Sequence, residues 1–309
     1  MVACMSLKIQ TCTKDTDGLH YIHCDVFSPT PYNGNSLAVF PDSGDLTAAQ
    51  MLRITQELRH FESVFLTASG TTGEFAARFF DLNEELPFAG HPIIGAACVL
   101  HAQNGGSEGD RKTWLFELAG KRIVQIRTVK HDRMFKGILD QGRPEIVAVV
   151  PREKRAVFAR AFCLKEDDLV PGLPLEIIST GLKYLIIPVG RRMETAKITA
   201  PNLEDLLSEQ GADYAYLFDP FKFEGRHWNN DGIVEDVATG SAAGVVGAYA
   251  LRHGLTEPGE IFDLKQGHYM GRPSEIGVRA FGSRKDVSNV EISGDVSIVG
   301  TGKLFALPE

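Results

Sequence analysis

Apolar residues along this chain fall in short runs separated by turn residues, and their spacing predicts alternating strands and helices. Runs rich in β-branched and aromatic residues, bounded by Gly, Pro, Asn or Asp, predict strands. In the first part of the chain the predicted strands are 21–28, 37–40, 62–68, 74–80, 113–118, 122–128 and 134–139. A second series is predicted at 176–180, 184–189, 214–218, 276–280, 290–293 and 297–305.

Helical spacing is predicted in five segments. Thr47 and Gln50 form a capping box that opens the first helix, because each side chain can satisfy a backbone N–H of the first turn. The others are predicted at 90–101, 152–160, 203–210 and 240–253. Strands that alternate with helices in this way predict an α/β (α+β) fold.

Two of these helices are apolar on every side, which is typical of buried helices. Each begins at a glycine, Gly90 or Gly240, that follows acidic residues, and each carries small residues that let other backbone approach. The two glycines lie roughly 150 residues apart, about half the chain. This spacing favours an internal duplication, although two unrelated core helices remain an alternative.

The length of 309 residues favours two domains, which we expect at 1–140 and 141–309, with the last strand returning to the first. The first twenty residues resemble a loose leader without a signal peptide. The net charge of −8 excludes an ordinary nucleic-acid surface, and no apolar run is long enough to cross a membrane. Five scattered cysteines predict reduced thiols and a cytoplasmic protein.

The starts of the two apolar helices are candidate anion sites. A helix N-terminus presents unpaired N–H groups and a partial positive charge. Gly90 with His91, and Gly240 with Ser241, could together bind a substrate carboxylate if the two ends converge on one cleft. The alternative, that both glycine turns merely cap helices, has equal support from these residues.

Glu62 is the candidate acid and base. It lies in an otherwise apolar strand, where burial would raise its pKa and suit it to take and return a proton. From these residues alone, a strand-end glutamate that points into solvent is the favoured alternative.

Other chemistries have weaker support. Ser241, His91 and Asp236 could be imagined as a hydrolase triad, but Ser241 is more simply a helix cap. The nine histidines show no metal-type clustering, and no nucleotide-binding glycine motif occurs. We therefore expect neither a metal nor a cofactor.

Several short motifs in order resemble the PhzF-like isomerase family of phenazine biosynthesis, within the diaminopimelate epimerase superfamily. The resemblance covers most of the chain. Its pieces are Asp25-Val-Phe27, Gly34-Asn35, Ala38-Val-Phe40, Glu62-Ser63, Glu85-Leu-Pro-Phe-Ala-Gly-His-Pro92, Glu235-Asp236, Ala238-Thr-Gly-Ser-Ala242, Gln266-Gly267 and Met270-Gly-Arg-Pro-Ser274.

The resemblance implies two pseudo-symmetric domains, each a curved sheet around a central apolar helix, with the site between them. It implies a cofactor-independent isomerase, similar to trans-2,3-dihydro-3-hydroxyanthranilate isomerase, that acts on a small carboxylate and forms a homodimer. Glu62 matches the family's proton-shuttling glutamate, His91 its active-site histidine, and Asp236 and Ser241 its polar substrate-binding residues. Gly90 and Gly240 would supply backbone N–H groups.

Departures from the family pattern leave the substrate open. Arg59-His60-Phe61 replaces the usual Asn-Leu-Ser, Ser36 and Val237 replace prolines, and His60 could either tune Glu62 or face away from it. The superfamily's racemases use two cysteines at the site, and no cysteine lies near either helix start here. A binding protein with a vestigial cleft, or an enzyme of this fold acting on an unrelated metabolite, are the alternatives.

Overall fold

The computed structural model describes residues 18–132 and 134–309. The leader predicted for the first twenty residues lies almost wholly outside this range, and the first strand begins at Leu19. No helix in the described part of the chain combines the length and the apolar character needed to cross a membrane.

The described residues form seventeen strands in one hydrogen-bonded network and five α-helices. The strands are β1 Leu19–Val26, β2 Asn35–Phe40, β3 Glu62–Ala68, β4 Glu74–Phe80, β5 Glu85–Leu86, β6 Arg111–Glu117, β7 Ile123–His131, β8 Met134–Gly142, β9 Glu145–Val149, β10 Glu176–Ser179, β11 Lys183–Pro188, β12 Tyr214–Asp219, β13 Glu224–Trp228, β14 Glu235–Asp236, β15 Ile261–Gln266, β16 Ser274–Gly282 and β17 Val287–Leu304. The helices are α1 Ala48–Leu58, α2 Gly90–Gln103, α3 Arg155–Ala161, α4 Leu203–Ser208 and α5 Gly240–Arg252.

The pairing of β1–β8 is repeated in β10–β17. In both series the first two strands pair antiparallel, the second and third pair parallel, and the third and fourth pair antiparallel. The fourth strand pairs with a two-residue strand and, in parallel, with the sixth. A helix follows the second strand and the fifth strand of each series. The predicted internal duplication is therefore confirmed in the order and direction of the elements.

Each repeat encloses one apolar helix. All residues of α2 from Gly90 to His101 are buried, and the helix packs on β1, β2, β3, β6, β7, β8 and β17. In the second repeat, α5 packs on β10, β11, β16 and β17. Burial on all sides explains why neither helix has a polar face in the sequence.

The long strand β17 connects the two repeats. It pairs in turn with β16, with β8 and with β1. We predicted two short strands here, 290–293 and 297–305, with a gap between them. That prediction was wrong, since the Phe27 ring occupies the space where a β-carbon of Gly294 would lie, so the glycine serves packing and not a turn.

Other differences from the sequence prediction are local. The segment predicted as one helix at 152–160 is a 3₁₀ turn followed by α3. Five strands were not predicted: β5, β9, β13, β14 and β15. Every residue of β13 is buried although Glu224, Arg226 and His227 are polar. A polar strand whose side chains find partners inside the protein shows no apolar alternation, so the pattern could not reveal it.

Candidate active site

The two apolar helices meet at their first residues. A β-carbon placed on Gly240 would lie 3.2 Å from the backbone nitrogen of His91. The first turns of α2 and α5 are therefore in backbone contact, and their unpaired N–H groups and partial positive charges lie close together. The expectation that both helix starts converge is confirmed.

Matching ion pairs fix the approach to both helices. Arg78 donates two hydrogen bonds to Glu85, at 2.7 and 2.6 Å, and Arg226 donates two to Glu235, at 2.7 and 2.8 Å. Each pair joins the fourth strand of its repeat to the two-residue strand before the glycine. Bidentate pairs of this kind hold a fixed geometry, so they set the direction in which the chain enters each helix.

Glu62, the first residue of β3, points into the protein and is only 9% exposed. Its Oε2 lies 3.8 Å from Nδ1 of His91 and has no hydrogen-bond partner among the described residues. Burial raises its pKa well above the usual value, and the nearby charges of Asp236 and Asp81 raise it further. The solvent-facing alternative for this glutamate is wrong.

His91 lies in the first turn of α2 and is 3% exposed. Burial lowers its pKa to about 4, although the charge of Asp236 acts in the opposite direction. The ring is therefore neutral at ordinary pH, with one N–H and one acceptor nitrogen. Its Nε2 has no hydrogen-bond partner in the described part of the chain and can serve a ligand.

Asp236 ends β14 and is held from several directions. Its Oδ1 accepts from Nδ2 of Asn35 at 2.8 Å, and its Oδ2 accepts from the hydroxyl of Thr239 at 2.6 Å. Gln266 donates to the Asp236 carbonyl at 2.8 Å and to the Thr239 hydroxyl at 2.9 Å. These bonds hold the Asp236 carboxylate beside Glu62. The bond from Asn35 also connects the start of β2 to the end of β14.

Asn35 and Gln266 belong to motifs of the family resemblance, but no role was predicted for either residue. Both are buried, and Asn35 leaves its Oδ1 without a partner among the described residues. A buried amide with a free acceptor needs a donor from elsewhere. Amides beside turn glycines, as in Gly34-Asn35 and Gln266-Gly267, were the signal that could have indicated them.

Ser241 lies in the first turn of α5, next to Gly240. Its Oγ is 2.7 Å from the hydroxyl of Tyr184, a buried residue of β11 that the sequence did not reveal. The described contacts give Ser241 Oγ no hydrogen bond to His91, which a hydrolase triad would need. The triad arrangement is therefore not formed.

The remaining sequence candidates lie outside this cluster. His60 and His23 both hydrogen-bond to Ser36, at 2.7 and 2.9 Å, so Nδ1 of His60 is bonded to the hydroxyl that replaces the family's proline.

Burial raises the thiol pKa values of Cys24 and Cys98, while Cys163 is exposed. Cys4 and Cys12 lie outside the described residues. Within 18–132 and 134–309, no three His, Cys, Asp or Glu side chains are grouped to hold a metal ion.

The sequence profile of the phenazine biosynthesis-like proteins (PhzC/PhzF) matches residues 24–302, nearly the whole described chain. This chain belongs to the PhzC/PhzF family.

The relatives of this chain include isomerases, one of which is named for its reaction. An uncharacterized isomerase of Salmonella typhimurium is 32% identical, with 90% of this chain and 95% of that protein covered. The trans-2,3-dihydro-3-hydroxyanthranilate isomerase of Pseudomonas chlororaphis is 30% identical, with 92% and 99% covered.

Solved structures agree with the PhzF-like fold. A predicted epimerase of Pseudomonas aeruginosa is 41% identical and superposes with a TM-score of 0.86, covering 93% of this chain and 99% of that one. A probable proline racemase of Agrobacterium radiobacter shares the fold at 12% identity, with a TM-score of 0.58 over 93% and 92%. The architecture is thus the mixed α/β, diaminopimelate epimerase-like fold that the sequence resemblance implied.

Proposed function

We propose that this protein is an isomerase that shifts a proton on a small, carboxylate-bearing metabolite without a cofactor, and that Glu62 is its acid and base. One observation carries the proposal. The buried carboxyl group of Glu62 has an oxygen without a hydrogen-bond partner among the described residues, 3.8 Å from Nδ1 of the neutral His91 ring in the first turn of α2. Because burial raises its pKa, this group holds a proton more tightly than a surface glutamate, which suits it to accept a proton and return it.

The helix ends supply the proposed carboxylate site. Backbone N–H groups near Gly90 and Gly240 point out of the first turns of α2 and α5, and the two helix dipoles add in the same place. A substrate carboxylate bound there would offset two adjacent partial positive charges. It would also place the neighbouring carbon atoms within reach of Glu62.

His91 and Asp236 orient the substrate in this proposal. The neutral His91 ring can donate one hydrogen bond to an oxygen on which charge develops when a C–H proton leaves. Asp236, fixed by Asn35 and Thr239, offers an acceptor to a hydroxyl or amino group of the substrate. It also keeps a second negative charge near Glu62, which helps to raise the pKa of Glu62.

The relatives suggest the chemical kind of substrate. The Pseudomonas chlororaphis enzyme, named for trans-2,3-dihydro-3-hydroxyanthranilate, is a matching isomerase. We propose a small carboxylate of similar type, cyclic or open, and expect Ser36, Phe61 and Val237 to change its identity. From the same resemblance we propose two domains, 1–140 and 141–309, a homodimer and a cytoplasmic location, with neither nucleic acid nor membrane as partner.

The test is the turnover of Glu62→Gln, measured beside Glu62→Asp with trans-2,3-dihydro-3-hydroxyanthranilate as the first substrate and related cyclic carboxylates as the next. Glutamine keeps the shape of the side chain but cannot accept the proton. We expect Glu62→Gln to fold normally and to turn over at least ~100-fold more slowly. Glu117→Gln, an exposed glutamate at the end of β6, is the control and should keep full turnover. Near-normal turnover in Glu62→Gln would remove Glu62 from the proposed mechanism.

A further inference from the structure

Tyr184 is a buried phenol at the edge of the candidate site that the proposed proton transfer does not use. It lies on β11, is 2% exposed, and its ring centroid is 5.6 Å from those of Tyr214 and His227. Burial raises the pKa of Tyr184, and the charges of Asp236 and Glu62 act in the same direction. The phenol is therefore protonated at neutral pH.

This proton needs an acceptor. A hydroxyl hydrogen left unpaired inside a protein is costly, so buried hydroxyl groups are almost always bonded. Among the described residues, Oγ of Ser241 at 2.7 Å is the only hydrogen-bond partner of the Tyr184 hydroxyl. Ser241 is only partly buried, so its own hydrogen has other directions available. The hydrogen bond therefore runs from Tyr184 to Ser241.

The backbone of Ser241 is fixed as well. Gln141 of β8 donates to the carbonyl of Gly240 at 2.9 Å. Thr180 donates to Oε1 of Gln141 at 3.2 Å, with the carbonyl of Ser241 at 3.4 Å as a second, weaker acceptor. These bonds anchor the first turn of α5 from both repeats of the fold. The rotation of the Ser241 hydroxyl is the remaining freedom, and the Tyr184 bond determines it.

We propose that Tyr184 is a positioning residue, which by donating to Ser241 makes the Ser241 hydroxyl donate its own hydrogen to the carboxylate of the substrate. This rests on the proposed function only in assuming a carboxylate at the helix ends. In this arrangement Tyr184 donates to Ser241, and Ser241 donates to the ligand. Because consecutive hydrogen bonds polarise one another, each of the two is stronger than it would be alone. Without Tyr184 the serine could accept as readily as donate, so the site would lose part of its preference for a carboxylate over a carboxamide.

The experiment compares two ligands that differ only in this group, anthranilate and anthranilamide, by titration calorimetry. Tyr184→Phe should weaken anthranilate binding about fivefold, within what one hydrogen bond to a charged group contributes, and leave anthranilamide within about twofold. Tyr184→Phe placed in a Ser241→Ala background should cause no further loss, because Tyr184 acts through Ser241.

Tyr249→Phe is the matched control. Tyr249 is also buried, and its hydroxyl donates one bond of 2.8 Å, to the carbonyl of Pro174 near the other end of α5. This variant loses a buried phenol hydrogen bond but should keep the affinity of the unmodified protein for both ligands.

Three results would overturn the proposal. The first is an equal loss of affinity for both ligands in Tyr184→Phe. The second is that Tyr184→Phe causes the same loss of affinity in the Ser241→Ala background. The third is failure of the unmodified protein to bind anthranilate. None of them involves turnover. Suppose that Glu62→Gln stayed active while the Tyr184→Phe and Ser241→Ala variants bound the two ligands as expected. The role of Glu62 in proton transfer would then be wrong, and the role of Tyr184 would still be supported.

Discussion

A β-carbon added to Gly90 would lie 3.0 Å from the carbonyl carbon of Gly240. The same atom would also lie 3.0 Å from the backbone nitrogen of Ser241 and 3.2 Å from the α-carbon of Gly240, so its three nearest neighbours are all backbone atoms. Backbone atoms cannot rotate out of the way as side chains can. The distance between the two helices is therefore set by the absence of one methyl group at this position.

Gly90→Ala should force α2 and α5 apart. We expect turnover to fall at least ~10-fold and the free energy of unfolding to fall by about 1–3 kcal/mol, as in other overpacked cores. Urea unfolding and steady-state kinetics measure the two effects. Gly300→Ala in β17 is the control, because a β-carbon there meets no atom of the described residues within 4 Å. Equal stability of the two variants would contradict the close contact.

The pH dependence of kcat/KM should report the ionisation of Glu62. Glu62 accepts a proton only when ionised, and its pKa is raised above 4.5, so activity should increase with pH through an apparent pKa above that value. His91 has a pKa of about 4 and is therefore neutral over the pH range in which Glu62 loses its proton. Measurement from pH 4 to 9 checks this expectation, and an acidic limb centred at or below 4.5 would contradict it.

Glu62→Gln should be more stable than the unmodified protein at high pH but not at low pH. Glu62 has a higher pKa folded than unfolded, so its contribution to stability is fully present below about 4.5 and is lost as pH rises through the folded value. Glutamine avoids this loss. The gain should reach about 1–3 kcal/mol, the cost of a buried polar group left unsatisfied. Denaturant unfolding at pH 4 and pH 8 measures it, and a difference that does not change with pH would show that Glu62 ionises normally.

Arg272→Lys should loosen the turn that carries Asn35. Arg272 donates to Asp25 at 2.8 Å and to the carbonyl of Gly34 at 2.9 Å, and a lysine cannot make both bonds with the same geometry. We expect about a tenfold loss in kcat/KM. Arg284→Lys, in an exposed pair with Glu257, should change neither activity nor stability. Full activity in Arg272→Lys would show that this contact does not position Asn35.

Much of the site was accessible to sequence reasoning because its signals are local. Gly90 and Gly240 each begin an apolar helix, and the motif around Glu62 resembles the family's catalytic glutamate, although the residues of β3 alone favoured a solvent-facing side chain. Tyr184 was missed because its meaning depends on Ser241, 57 positions further along the chain. A tyrosine in an apolar strand resembles any core residue until its partner is known.

The same limit applies to the polar strand β13. Arg226 is buried there because Glu235 and several carbonyl groups receive its donors, and the ring of Trp228 lies against its guanidinium group. Glu235 and the carbonyl groups come from other segments, so the sequence of the strand alone resembles a surface loop. Burial of charge is decided by the contacts that the fold assembles, which a local pattern does not contain.

The position of β17 has a consequence for synthesis on the ribosome. Both β1 and β8 pair with β17 along one edge. The residues of β17 are translated after nearly all the others, so these edges stay unpaired until then. While the second repeat is being translated, the first therefore presents two unpaired strand edges around an apolar helix, a surface prone to wrong pairing. Protection of a nascent chain by chaperones would matter most during this interval, and it would end when the strand joins the two halves.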